Sequence, residues 1–134
     1  MLEKYGGAPL PPYIEKMHEA TKQDKESYQS IFAKHWGSVA APTASLHFTE
    51  KLLSKIKERG VKITFVTLHV GSGTFLPNTH NNIEKHRMHT EFCTISQDTA
   101  DLVNITKKEG GKIVAVGSTS LRTLEGASNQ SGEL

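Results

Sequence analysis

The chain has 134 residues, 36% of them hydrophobic and 22% charged, which suits one small domain with a modest core and excludes a disordered tail. Its formal charge of +2, from 16 Lys and Arg against 14 Asp and Glu, is too small to announce nucleic-acid binding and would not oppose it. Cys93 is the sole cysteine, so no internal disulfide can form, and no apolar run or signal-peptide core marks a membrane span or export. A soluble, cytoplasmic protein that works as a monomer without membrane contact is expected.

Residues 1–23 read as connector and linker. Within them, Gly6 to Ile14 cannot be regular helix or central strand, because Pro11 and Pro12 lack amide donors and each proline restricts its predecessor. Residues 24–134 read as a partial α/β catalytic domain. A short helix is expected over Asp24 to Lys34, with Tyr28, Ile31 and Phe32 at helical spacing and Gly37 beyond it. A second helix is expected from about Thr43 to Arg59. Pro42 stands near its first turn, Gly60 lies past its end, and Phe48, Leu52 and Ile56 form its apolar stripe beside Leu53.

Val61 to Val70 reads as a strand whose apolar pattern changes phase midway, as a strand covered on both faces would. Thr67 and His69 fall near its C-terminal end, where open α/β sheets place ligands. Residues 71–87, rich in Gly, Asn, His and Thr, read as a long loop, and Met88 to Ile95 as a second strand. Ser96 is a credible N-cap for a helix to about Glu109 that buries Ala100, Leu102, Val103 and Ile105. Lys112 to Gly117 reads as a short apolar strand, and Ser118-Thr119-Ser120 opens a last helix to about Glu125. From Gly126 the polar chain is expected to fray. The order implies a partial layered α/β/α domain with a largely parallel sheet.

Four constellations could carry chemistry. In Val70-Gly71-Ser72-Gly73-Thr74-Phe75, a glycine-bearing turn follows a strand and lets backbone approach an anion or nucleotide; a plain tight turn would read the same way. In Gly117-Ser118-Thr119-Ser120-Leu121-Arg122, helix-start amides could bind carboxylate or phosphate, and a bound anion would offset the unfavourable placing of Arg122 near that start. Alternatively, Arg122 pairs with Glu125 or another acid. There are seven histidines, and His47, His69, His86 and His89 are spread near predicted ligand edges, with Glu91 after them. His86 and His89 would point to opposite faces of a strand, which argues against a metal site. Gly37-Ser38-Val39-Ala40-Ala41-Pro42-Thr43-Ala44 is either a simple connector or a small-residue surface that permits close packing.

Across these residues the chain resembles the S-adenosylmethionine:tRNA ribosyltransferase-isomerases of queuosine biosynthesis. The matching blocks are Gly7 to Ile14, Tyr28-Gln29, Gly37 to Ala44 running into Leu46-His47-Phe48, Val66 to Gly71, Gly73-Thr74-Phe75, Met88-His89 with Glu91, Gly110-Gly111, Val114 to Gly117, Thr119-Ser120 and Arg122 to Glu125. Departures are mild: Ser45 stands where glycine is usual, Ser72 where alanine is, Leu76 where glutamine is, and Ser118 and Leu121 where threonine and valine are. The blocks span less than half of a full member. The family's earlier β-barrel domain and a later Thr-Asn-Phe-His-Leu-Pro segment are absent from this chain.

The resemblance implies transfer and isomerisation of the ribosyl moiety of S-adenosylmethionine, a consumed cosubstrate, onto 7-aminomethyl-7-deazaguanine in tRNA. Epoxyqueuosine-tRNA forms, and adenine and methionine leave. Such chemistry needs a base beside the sulfonium and an acid for departing adenine. From residue type and position, His47, His69 and Glu91 are the candidate acid–base groups. Thr43, Thr67, Gly71, Gly73, Thr74, Ser118, Thr119, Ser120 and Arg122 are candidates for holding the cosubstrate or a tRNA phosphate; no metal is expected. The alternatives are a metal-dependent hydrolase built on His69, His89 and Glu91, and a non-catalytic tRNA- or nucleotide-binding fragment.

Overall fold

The computed structural model describes residues 10–11, 14, 21–35, 37–38, 40–71 and 90–134. Most of the predicted connector, the loop after Gly71 and the start of the second predicted strand lie outside these residues. Four α-helices, one 3-10 helix and two strands are assigned among them.

Helix α1 (Lys22–Ser27) starts from a capping box in which the Thr21 hydroxyl accepts from the Asp24 amide and the Asp24 carboxylate accepts from the Thr21 amide. It stops well before the expected Lys34. The Ser30 hydroxyl accepts from the Phe32 amide at 3.1 Å and the Ser30 carbonyl from the Ala33 amide at 3.0 Å, so a serine-centred turn takes the groups a longer helix would need. The single helix expected over residues 43–59 is two elements, a 3-10 helix (Thr43–His47) and α2 (Glu50–Glu58). Thr49 separates them: its extended backbone and its side chain, which accepts from the Leu52 amide, cap α2. Phe48 therefore leaves the helical stripe and packs by Phe32, with ring centroids 5.8 Å apart, while Phe32 meets Phe65 at 5.7 Å. Leu53 and Ile56 are the half-covered side of α2, and Leu52 is exposed.

Strand β1 (Val66–His69) and strand β2 (Phe92–Ile95) form a two-stranded antiparallel ribbon with Val66 opposite Ile95, Thr67 opposite Thr94, Leu68 opposite Cys93 and His69 opposite Phe92. The sheet described is thus antiparallel, not the largely parallel one expected. β1 is also shorter than Val61–Val70, because a ladder extends only as far as its partner, and β2 is four residues long. Residues 112–116 form no strand despite the Ile-Val-Ala-Val run, since no described strand lies alongside to pair with them.

Helix α3 (Gln97–Lys108) has the expected Ser96 cap and buries Thr99, Ala100 and Val103, but leaves Ile105 exposed. Buried Thr99 ties its start to the chain entering β1: its hydroxyl lies 2.6 Å from that of Thr64 and 3.0 Å from that of Ser96, and donates to the Phe65 carbonyl at 3.2 Å. Helix α4 (Gly117–Ala127) contacts both β1 and the 3-10 helix. It continues past the expected end at Glu125, and the segment beyond does not fray. The Asn129 side chain accepts from the amides of Ser131 and Glu133, and the Asn104 amide group exchanges two hydrogen bonds with the backbone of Leu134 at 2.9 and 3.1 Å. A side-chain amide carries the same donor and acceptor as a peptide, so it can tie an irregular segment to α3.

A candidate functional site at the end of strand β1

The C-terminal end of β1 is held by residues far away in sequence. Ser38 Oγ donates to the Leu68 carbonyl at 3.2 Å and accepts from the Val70 amide at 2.7 Å. In extended chain the groups of residues two apart point to one side, so a single hydroxyl serves both. The residue between them, His69, is half-buried and stacks against Phe92 across the ribbon, with centroids 6.0 Å apart and planes at 27°. Gly37 lies against the same imidazole: a Cβ built there would fall 2.5 Å from His69 Nδ1.

Helix α4 packs against β1 and against the 3-10 helix. Gly117 has φ +83, where a side chain is disfavoured, and a Cβ on it would lie 3.0 Å from the Ala44 Cβ, so the helix start and the 3-10 helix approach as closely as glycine permits. α1, α2 and α3 each receive a side-chain cap, from Thr21, Thr49 and Ser96; the N-cap of α4 is Val116, and no side chain caps it. The first-turn amides of α4, where the sequence suggests anion binding, thus have no side-chain cap.

Arg122 extends from the next turn of α4 to Glu91, with Nη1 2.9 Å from Oε2. The Glu91 side chain is 7% exposed and that of Arg122 is 51% exposed. This is the acid-paired alternative for Arg122, with Glu91 as the acid and not Glu125. Because α4 begins at Gly117, Arg122 also clears the first turn, where the helix dipole would oppose it.

The structure therefore joins Glu91 to Arg122 and sets Thr67 and His69 on the strand that α4 packs against. Gly71 is exposed just past β1; Ser118 is exposed and Thr119 and Ser120 half-buried in the first turn of α4. Thr43 and His47 bound the 3-10 helix and are exposed, and His47 shares no hydrogen bond, ion pair or ring contact with His69 or Glu91. Gly73, Thr74 and His89 lie outside the described residues. The sequence reading left Gly37-Ser38 undecided between connector and functional surface and did not single out Phe92. Nothing local to residues 37 and 38 shows that they dock on β1, since that contact spans 30 residues or more.

These features define a small α/β unit in which the helix bearing Arg122 packs on the strand bearing His69. The queuosine biosynthesis protein family model matches residues 1–133, and the chain belongs to that family. It is 54% identical over 132 residues to an S-adenosylmethionine:tRNA ribosyltransferase-isomerase of Zymomonas mobilis, covering 98% of this chain and 39% of the relative. Proteins of the same name from Rickettsia canadensis and Clostridioides difficile are 56% and 51% identical, covering 96% and 100% of this chain but 33% and 38% of their own lengths. The chain thus spans between a third and two-fifths of the curated relatives it matches. No solved structure matches it significantly.

Proposed function

We propose that this chain supplies the central catalytic portion of an enzyme that moves the ribosyl group of S-adenosylmethionine onto 7-aminomethyl-7-deazaguanine in tRNA and isomerises it, releasing adenine and methionine. The observation that carries this is identity above one half to relatives named S-adenosylmethionine:tRNA ribosyltransferase-isomerase, over nearly the whole chain. Their names give no support to a metal-dependent hydrolase built on His69, His89 and Glu91.

The positive sulfonium acidifies its neighbouring C–H bonds, so the reaction opens with proton removal by a base. It later needs an acid at the departing adenine. We place His69 at one of these transfers, because it ends the strand that α4 packs against. The Glu91 carboxylate is engaged by Arg122, so we assign the pair to fixing the charge of the site rather than to exchanging protons. The amides and hydroxyls of Ser118 to Ser120, with Gly71, are the groups we assign to the methionyl carboxylate or a tRNA phosphate. Thr67 lines the same strand. Thr43, His47, Gly73 and Thr74 complete the proposed set.

The test is adenine release from S-adenosylmethionine with precursor tRNA, run on this chain and on a full-length family member. His69→Ala in the full-length protein is expected to slow turnover by roughly 10²–10⁴-fold, the usual worth of a general acid or base. Near-normal turnover of a folded variant would remove His69 from the mechanism.

A further inference from the structure

We propose that Gly37 and Ser38 form a clasp that positions the His69 imidazole, which makes both of them positioning residues for the reaction. The inference rests on the assignment of His69 to proton transfer. Three constraints converge on one ring. The two peptide groups flanking His69 are fixed by the single hydroxyl of Ser38, which takes the Val70 amide at 2.7 Å and gives to the Leu68 carbonyl at 3.2 Å. That pattern, one donor and one acceptor serving alternate residues of a strand, is what a neighbouring strand would supply. The ring's stacking partner is Phe92. Its edge is set by Gly37: a Cβ there would stand 2.5 Å from Nδ1, 2.9 Å from Cε1 and 3.4 Å from Cγ. Gly37 also has φ +138, a conformation that L side chains rarely adopt, so backbone and contact both demand glycine.

The consequence is a choice between the two nitrogens. The ring nitrogen nearest Gly37 is Nδ1, so Nε2 is the one farther from the clasp, and we assign proton transfer to it. A ring held this way needs less reorientation to reach a reactive geometry, and misplacement of a reacting group by about 1 Å can cost about 10²-fold in rate.

The clasp is tested by nuclear Overhauser contacts in the isotope-labelled chain. A contact between Gly37 Hα and His69 Hε1 is expected in the unsubstituted chain and in Ser38→Thr, which keeps the hydroxyl. It is expected to vanish in Ser38→Ala while the amide signals of Thr99 and Thr123 stay in place. Its absence from the unsubstituted chain, or its persistence in Ser38→Ala, overturns the proposal. Should Ser38→Ala unfold, Gly37→Ala serves instead: the His69 Cε1–Hε1 resonance must move, and an unmoved resonance overturns the clasp. In a full-length family member, Ser38→Ala is expected to lower kcat about tenfold with KM for S-adenosylmethionine little changed, and Ser38→Thr to restore kcat. A raised KM at constant kcat would contradict a positioning role. Retention of turnover by His69→Ala would instead sink the assignment of His69, whatever the Overhauser contacts show.

Discussion

A 2.7 Å bond between the hydroxyls of Ser30 and Ser45, both buried, holds the turn after α1 to the 3-10 helix, and Ser45 Oγ also reaches the Pro42 carbonyl. The sequence gives no hint that the Ser45 hydroxyl would find partners. The site accommodates this side chain by bonding it. Ser45→Ala is expected to destabilise the chain by about 1–2 kcal/mol, since it leaves buried polar groups short of a partner. A denaturant midpoint no lower than that of the unsubstituted chain would count against this. Thr99 is the second residue of this kind. Thr99→Val keeps the shape but removes a buried hydroxyl in reach of Thr64, Ser96 and Phe65, and a loss of about 1–3 kcal/mol is expected in the same measurement.

At the scale of elements, what could be read in advance was local. The Ser96 cap and α3, the start of the last helix within a residue, and the strand character of residues 66–69 and 92–95 follow from capping chemistry and apolar patterning. Errors arose where a local signal was outweighed or had no partner. Thr49 before Glu50 is itself a cap signal, and it splits the stretch that Pro42 and Gly60 bracket. Ile113 and Val114 have the β-branched character of a strand, but pairing depends on chain elsewhere. The largely parallel sheet was expected against a signal in the sequence: a parallel pair needs a crossover, usually helical, and residues 71–87 carry no helical pattern. The candidate site was legible as separate pieces, His69 and the Ser118 to Arg122 turn. Its assembly was not, because Arg122 with Glu91 and Ser38 with β1 are contacts across about 30 residues. The packing of α4 gives an element-scale prediction. Gly117→Ala puts a side chain at φ +83 and 3.0 Å from the Ala44 Cβ, and a loss of about 1–2 kcal/mol is expected from the backbone alone. A thermal midpoint unaffected by this change would show that the helix start can shift freely.

At the scale of the whole molecule, few of the described apolar side chains are buried. Among the described residues the buried hydrophobic side chains are Leu10, Ala100 and Val103, whereas Phe92 is 68% and Val114 81% exposed, and Val61, Phe65 and Leu121 are more than half exposed. Exposed large apolar side chains are what apolar dyes bind, and this chain spans between a third and two-fifths of the length of the relatives it matches. The isolated chain is therefore expected to enhance the fluorescence of an apolar dye such as anilinonaphthalene sulfonate under native conditions, and a full-length relative to do so far less. Equal, weak enhancement by both would show that these side chains find cover within the chain itself. No described helix is long and apolar enough to cross a membrane.

Cys93 sits on β2 directly opposite Leu68, is exposed, and is the sole thiol of the chain. It is two residues from Glu91 and adjacent to the phenyl ring that stacks on His69. A maleimide fluorophore would attach there without any substitution in the protein. Its emission would then report ligand arrival at the strand end as an optical titration, read separately from turnover.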